Sequence, residues 1–312
     1  MSKSARKTIG ITLGDPAGIG PQVAAKALAD PSIRKLARFL IIGDSVSFKR
    51  YFSRHKDIHF LLIDSSKNSD FSAGKPTPLS GQLSLQFLKV AIELLKHKKI
   101  EALVTAPLSK ESVSRFEPGF HGHTEYLAGA FGVKKFDMMF VADKLKTVIA
   151  TRHIPIKDVP GAITRQKVLD TITLVDESLR RQFKIVRPSI AVCGLNPHAG
   201  ESGLIGREEI KTVIPAIKQA VAKGIRAFGP FAGDTMFIPE RRKNFDAIIS
   251  MYHDQGLIAM KTLYFREVVN LTIGLPFVRT SPAHGTGFDI AGKNKADASS
   301  MVQAIRLAAA LA

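Results

Sequence analysis

The stretch KTIGITLGDPAGIGPQVAAKALAD, residues 7–30, decides the fold class of this chain. Residues 7–14 are rich in apolar and β-branched side chains, which predicts a buried strand. Residues 21–30 have the spacing of a helix, and Pro21 suits its first turn, where one N–H would be unsatisfied in any case. The glycines between them let the backbone turn tightly. The stretch therefore predicts a strand–loop–helix unit of an α/β protein.

The same alternation of apolar strands and amphipathic helices continues to the end of the chain, which predicts a mostly parallel sheet with helices packed on it. Strands are expected at 39–43, 60–64, 101–107, 138–142, 147–151, 189–196, 245–250 and 268–274, with 138–142 and 147–151 paired. Helices are expected at 80–98, 163–183, 208–223 and 296–312. The clearest candidate for a domain boundary is the loop at 114–123, and a return crossing is expected near 275–280.

Composition limits the classes of function. The chain has 312 residues, of which 45% are hydrophobic, which is enough for a large buried core. The net charge of +18 favours general enrichment in basic residues or an anionic substrate with a dinucleotide. The basic residues are scattered without a nucleic-acid motif, so we expect no nucleic-acid partner. No secretory or membrane-spanning segment is evident, so a cytoplasmic protein is expected. Cys193, the only cysteine, is expected to be a buried core thiol.

Three histidines follow predicted strands and are candidate metal ligands. His153 follows the strand at 147–151, His198 follows the strand at 189–196, and His253 follows the strand at 245–250. The carboxyl ends of parallel strands meet at one edge of a sheet, where ligands bind. Three neutral imidazoles suit a catalytic divalent metal, with Glu201 and Asp254 beside two of them. The alternative is that each histidine only caps or hydrogen-bonds its own loop.

Two further polar groupings leave alternatives open. The segment GDPAGIGP at 14–21 matches neither the dinucleotide nor the phosphate-loop motif, so it is either a tight turn or an anion site at a helix start. Lys261, Asn270 and Arg279 could hold phosphate or carboxylate oxygens, whereas each alone is more often a surface group.

Several long motifs in this order resemble the 4-hydroxythreonine-4-phosphate dehydrogenase family. They are GDPAGIGP, GHTEYLA, CGLNPHAGESGLIGREE, MYHDQG and NLTIGLPFVRTS, and they span nearly the whole chain. The resemblance implies a homodimer with active sites shared between subunits. It implies a divalent metal (Zn²⁺, Mg²⁺ or Co²⁺) held by His153, His198 and His253, one of them from the other subunit. It also implies substrate contacts from His123, Thr124, Lys261, Asn270 and Arg279.

A second resemblance concerns the cofactor. The segment HGTGFDIAGK at 284–293 is similar to the adenosine-binding loop of isopropylmalate dehydrogenase and its relatives. It implies cofactor contacts from His284, Gly285, Thr286 and Asp289. A carboxylate at Asp289 would repel a 2′-phosphate, so we expect NAD to be preferred over NADP. Ala283 departs from the acidic residue that many family members have just before this histidine.

The second resemblance also implies a two-lobed α/β/α fold of the isocitrate/isopropylmalate dehydrogenase type, with mostly parallel sheets. We expect residues 1–119 plus 280–312 to form the first lobe, with the chain termini and the cofactor loop. Residues 120–279 are expected to form the second lobe, with the metal, the substrate and the dimer interface.

The expected reaction is the oxidation of a secondary alcohol by NAD, followed by loss of CO2 from the resulting 3-oxo acid. Either Asp234 or Asp254 could be the base, or could orient a ligand. Within the family, the alternative substrates are D-threonate or D-erythronate 4-phosphate and an aromatic dihydrodiol acid. Outside it, a phosphate acyltransferase or a non-catalytic binding protein is the alternative.

Overall fold

The structure is a computed structural model that describes residues 6–53, 58–63 and 72–312. It divides into two compact units, and β10 is split between them. Unit 1 comprises residues 1–134, 269–271 and 275–312, and unit 2 comprises residues 135–268 and 272–274. The lobe boundaries expected from the sequence were at 119/120 and 279/280. The segment 120–134, which contains a helix, packs with unit 1.

Unit 1 contains a parallel sheet with the strand order β3-β2-β1-β4-β11. Its strands are β1 (Thr8–Thr12), β2 (Arg38–Gly43), β3 (His59–Leu62), β4 (Ala102–Thr105) and β11 (Val278–Pro282), and β10 (Val269–Ile273) begins in this unit. Its helices are α1 (Gly20–Ala29), α2 (Pro31–Arg34), α3 (Ser45–Ser47), α4 (Pro78–Lys96), α5 (Lys110–Ser114), α6 (His123–Ala130) and α13 (Ser299–Leu311).

Unit 2 contains a sheet with the strand order β5-β6-β9-β7-β8. Its strands are β5 (Asp137–Ala142), β6 (Leu145–Thr151), β7 (Ser189–Cys193), β8 (Arg226–Phe231) and β9 (Ala247–Tyr252). The hairpin of β5 and β6 is antiparallel, and all the other pairs are parallel. Its helices are α7 (Val159–Ala162), α8 (Arg165–Arg181), α9 (Ile214–Ala222), α10 (Gly233–Met236), α11 (Pro239–Arg242) and α12 (His253–Tyr264).

The strand cores are apolar on both faces, as expected for parallel strands covered by helices. Consecutive residues Ala102, Leu103 and Val104 of β4 are fully buried, and so are Ile190 and Ala191 of β7. Helix α4 begins with a capping box, in which Thr77 and Ser80 each accept a hydrogen bond from the other's backbone N–H. The predicted α/β class with mostly parallel sheets is confirmed.

One helix predicted from the sequence is wrong in detail. The segment 208–223 was expected to be one helix, but Glu209–Val213 forms a π-helical turn and the α-helix begins only at Ile214. Pro215 supplies no N–H, which suits the first turn of α9.

The strand predicted at 60–64 lies at His59–Leu62, and residue 64 lies outside the described residues. Within the described ranges, no helix is both long and apolar enough to cross a membrane.

Candidate functional site

The candidate metal ligands follow three neighbouring strands of unit 2. Strands β6, β9 and β7 are parallel neighbours, and their carboxyl ends carry His153, His253 and His198 in that order. The hydroxyl of Thr151 donates to the carbonyl oxygen of Met251 at 2.7 Å, which ties the end of β6 to the end of β9. The sheet itself therefore places the three loops at one edge.

His153 and His253 lie close together. Their ring centroids are 5.5 Å apart, with an angle of 43° between the ring planes. The Nδ1 atom of His253 lies 2.7 Å from Oδ1 of Asp254, and this carboxylate favours a proton on Nδ1. The Nε2 lone pair of His253 is then the one available to a cation, as in carboxylate–histidine–metal arrangements. The pair is suited to a divalent metal.

His198 is carried by a turn with an unusual backbone and is itself exposed. Across the part of the chain that the structure describes, no group of three or more His, Cys, Asp or Glu residues could hold a metal. One chain therefore brings His153 and His253 together without adding His198 as a third ligand. A ligand from a second subunit, which the resemblance implies, stays a prediction.

The two candidate bases have different surroundings. The carboxylate of Asp254 is hydrogen-bonded to the His253 ring, which suits a role in orienting that ring. Asp234 is exposed on α10, which packs against the turn that carries His198. Lys261 is exposed on α12, eight residues after His253, so it lies about 12 Å farther along the helix axis. A single chain therefore does not place Lys261 beside the histidine pair.

Arg279 is the main candidate substrate ligand in unit 1, and it is only 2% exposed. Its Nη2 and Nε atoms donate to the hydroxyl of Thr105 at 2.6 and 3.2 Å, and Nη1 donates to the hydroxyl of Thr124 at 3.4 Å. Burial lowers the pKa of Arg279 to about 10, so it remains charged at neutral pH. A buried guanidinium among hydroxyls is a strong site for a phosphate or carboxylate.

His123 is a half-buried residue at the start of α6. Burial, followed by the positive charges of Arg279 and Lys110, holds the pKa of His123 well below 6.5. The imidazole is therefore neutral at pH 7 and can donate a hydrogen bond without adding charge. Asn270 is half-buried on β10.

The predicted cofactor loop lies against the glycine-rich loop in unit 1. The N–H of Ile19 donates to the carbonyl oxygen of Thr286 at 2.8 Å. A Cβ on Gly18 would lie 2.8 Å from that oxygen, so only glycine permits this approach. His284 Nδ1 lies 2.9 Å from the carbonyl oxygen of Gly285, and Asp289 is exposed and able to meet a ribose.

Three residues that hold these groups were not predicted from the sequence. Thr105 ends β4 and contacts Arg279, and the available signal was a polar residue where an apolar strand stops. Gln255 joins the end of β9 to the end of β7, because its amide accepts from the N–H of Met251 at 2.7 Å and donates to the carbonyl oxygen of Gly194 at 2.8 Å. Glu209 holds the turn before His198.

Cys193 is buried as expected, and burial raises its pKa to about 12, which makes it an inert thiol.

Comparison with known proteins identifies the family of this chain. The family model of the pyridoxal phosphate biosynthetic protein PdxA matches residues 22–308. A 4-hydroxythreonine-4-phosphate dehydrogenase from Desulforapulum autotrophicum is 39% identical, over 97% of this chain and 95% of that protein. A protein from Oceanobacillus iheyensis, provisionally named a D-threonate 4-phosphate dehydrogenase, is also 39% identical, over 100% of this chain and 99% of that protein.

A solved structure agrees with the sequence comparisons. The crystal structure of 4-hydroxythreonine-4-phosphate dehydrogenase from Klebsiella pneumoniae superposes with a TM-score of 0.87 at 35% identity. The match covers 97% of this chain and 99% of that one. Taken with the matched motifs, these likenesses show that the chain is a dehydrogenase and belongs to the PdxA family of pyridoxal phosphate biosynthetic proteins.

Proposed function

We propose that this protein oxidises 4-phosphooxy-L-threonine with NAD in a reaction that depends on a divalent metal. The observation that carries the metal dependence is the facing pair His153 and His253, with Asp254 fixing one ring. Family membership supports the substrate, because a curated relative of 39% identity carries that enzyme name. The product is a 3-oxo acid that loses CO2 to give 3-amino-2-oxopropyl phosphate.

A bound divalent cation would polarise the substrate hydroxyl, and a bound nicotinamide would accept the hydride. His153 and His253 would hold the cation, with His198 of a second subunit as a third ligand. Zn²⁺, Mg²⁺ and Co²⁺ are the candidate metals, and imidazole ligands favour Zn²⁺ or Co²⁺ over Mg²⁺. His284, Gly285, Thr286 and Asp289 would bind the cofactor, and Asp289 would favour NAD.

The chain's own side chains would bind the anionic groups and take the proton. Arg279, with Thr124 and neutral His123, would hold the phosphate or carboxylate, and Asn270 and Lys261 would complete the anion contacts. We assign the base to Asp234, since the Asp254 carboxylate is engaged by His253. Asp234 would accept the hydroxyl proton as the C–H bond gives its electron pair to the cofactor. The C–CO2 bond then breaks, its electron pair is delocalised into the ketone as an enolate, and a proton from water adds to the carbon that carried the carboxylate to give the product.

The proposed assembly is a homodimer with shared active sites. Among the described residues, all but three of the exposed large hydrophobic side chains belong to unit 2, the exceptions being Leu36, Leu62 and Phe116. Several lie within seven residues of one of the three histidines: Ile154, Ile156, Leu204, Ile205 and Ile258. Such an accumulation of exposed apolar residues supports a protein interface in unit 2. Sedimentation should give twice the monomer mass, and a monomer that retains full activity would exclude shared sites.

The decisive experiment combines metal removal with substitution. The protein is stripped with a chelator, metal loss is verified, and NADH formation from 4-phosphooxy-L-threonine is measured before and after adding Zn²⁺, Mg²⁺ or Co²⁺. Stripped protein, His153→Ala and His253→Ala should each lose about 100-fold or more in kcat/KM. The matched control is His59→Ala, because His59 is exposed on β3 in unit 1. Full activity after verified metal removal would refute the metal role.

A second candidate substrate is D-threonate 4-phosphate. The observation that favours it is the relative from Oceanobacillus iheyensis, which is as similar as the first but carries that other name. The two substrates share the phosphate and the carboxylate and differ at C2, which bears an amino group in one and a hydroxyl in the other. Comparison of kcat/KM for both compounds, with the same metal and NAD, decides between them.

A further inference from the structure

The turn that carries His198 has a left-handed backbone over five consecutive residues. The φ angles from His198 to Ser202 are 51°, 53°, 79°, 41° and 57°. Only one of these residues, Gly200, is a glycine. The left-handed conformation brings Cβ close to the following carbonyl oxygen, so residues other than glycine rarely adopt it in a row. Contacts from outside the turn must hold it in place.

The buried carboxylate of Glu209 provides such contacts. Its Oε1 atom accepts hydrogen bonds from the backbone N–H groups of Leu195 at 2.8 Å and Asn196 at 2.7 Å. Its Oε2 atom accepts from the side-chain amide of Asn196 at 2.9 Å. Glu209 is only 2% exposed, so these bonds are shielded from water.

The same carboxylate also meets the far side of the turn. A Cβ added to Gly200 would lie 2.5 Å from Oε2 of Glu209, so the backbone of residue 200 closes directly over the carboxylate. Leu195 and Asn196 precede His198 and Gly200 follows it. Glu209 therefore contacts the chain on both sides of the candidate ligand.

We propose that Glu209 is a positioning residue, which locks the left-handed turn so that His198 presents its imidazole to a metal. This inference rests on the proposed function of the histidines. A carboxylate suits the role because both oxygens accept hydrogen bonds. A glutamine would keep one acceptor oxygen and place an NH2 group against another donor. Burial of a carboxylate is unfavourable unless it is well hydrogen-bonded, and the donors named here come from the segment that leads into His198.

The test compares Glu209→Gln and Glu209→Ala with a control, Glu240→Gln. Glu240 is an exposed residue of α11. Co²⁺ is titrated into each metal-free protein, and the dissociation constant and absorption spectrum of the bound ion are measured. We expect Glu209→Ala to weaken Co²⁺ binding about 10–100-fold and to change the spectrum. Glu209→Gln should fall between Glu209→Ala and wild type, and Glu240→Gln should match wild type.

Folding and metal binding are separated by further measurements. Circular dichroism and thermal melting identify the variants that fold. If Glu209→Ala does not fold, the metal affinity of Glu209→Gln alone tests the inference. Folded Glu209 variants with wild-type affinity and spectrum would overturn the inference. If wild-type protein binds no Co²⁺, the metal role fails, and the NMR signal of the His198 ring in metal-free protein becomes the test. That signal should shift or broaden in Glu209→Gln, and an unchanged signal would overturn the positioning role.

Discussion

Replacement of Arg279 by methionine should separate stability from activity. Burial lowers the pKa of Arg279 from an ordinary value of about 12.5 to about 10. At about 1.4 kcal/mol per pKa unit, the charged form is disfavoured by about 3 kcal/mol relative to water. Arg279→Met removes this cost and fills similar space. It also removes the hydrogen bonds to Thr105 and Thr124, each worth about 1.5–3 kcal/mol for a charged donor.

These opposing contributions partly cancel for the unliganded protein. We expect the free energy of unfolding of Arg279→Met to lie between the wild-type value and about 3 kcal/mol below it, with Tm lowered by at most about 10 °C. Activity should have no such compensation, because the proposed charge-assisted contact of Arg279 with the substrate anion would be lost. At about 1.5–3 kcal/mol for that contact, kcat/KM should fall about 10–150-fold.

The assay is NADH formation, with thermal melting measured in the presence and absence of inorganic phosphate. An anion that binds the folded state raises Tm, so phosphate should stabilise wild type more than Arg279→Met. The control is Arg115→Met, because Arg115 is exposed and pairs with nearby Glu111 on the surface. A variant that melts far below wild type would make Arg279 a structural residue. A kcat/KM within threefold of wild type would remove it from the substrate site.

Substitutions at three further residues test the other groups of the candidate site. Gln255→Leu should lower the free energy of unfolding, measured in urea, by about 2–4 kcal/mol, because it leaves the N–H of Met251 and the carbonyl of Gly194 without this partner. Gln255→Glu should also be destabilising, because a carboxylate accepts from Met251 but cannot donate to Gly194. Asp289→Ala should raise the NADP/NAD ratio of kcat/KM about tenfold by removing repulsion of a 2′-phosphate, and an unchanged ratio would place the adenosine ribose elsewhere. His123 has a lower pKa folded than unfolded, so its contribution to stability is present above pH of about 6.5 and is lost as the pH falls below it. Denaturant titrations of His123→Gln should therefore show a weaker loss of stability between about pH 7 and 5 than wild type, and an identical slope would contradict the shift.

The strands could be predicted from the sequence because strands that are buried on both faces have continuous runs of apolar residues. Runs such as 39–43 and 101–107 contain apolar residues without alternation, and the structure forms strands at Arg38–Gly43 and Ala102–Thr105. The prediction of a single α-helix at 208–223 was wrong because the apolar spacing of this segment is helical throughout. Periodicity does not distinguish a π-helical turn from the α-helix that continues it.

The candidate site was only partly predictable. His153 and His253 come together because parallel neighbouring strands end at the same edge, which strand order and spacing can indicate. The geometry of His198 depends on a left-handed turn, and its sequence has only one glycine among the five residues concerned. The contact of Arg279 with Thr105 joins residues far apart in the chain. No local pattern encodes such a pairing, because it depends on which strands become neighbours.

The glycine-rich loop at 14–21 illustrates how hydrogen bonding decides between two sequence interpretations. An anion site in this loop would need free N–H groups in the residues that lead into α1. Instead, the N–H of Ala17 donates to the Asp15 carboxylate at 2.9 Å, and that of Gly18 donates to the Asp15 carbonyl at 2.9 Å. The N–H of Ile19 is used by Thr286. With these three donors occupied and a buried carboxyl group beside them, the loop is better explained as a tight turn that supports the predicted cofactor loop. Its glycines follow from the close approach of the backbone, and we propose the anion-binding role for Arg279 instead.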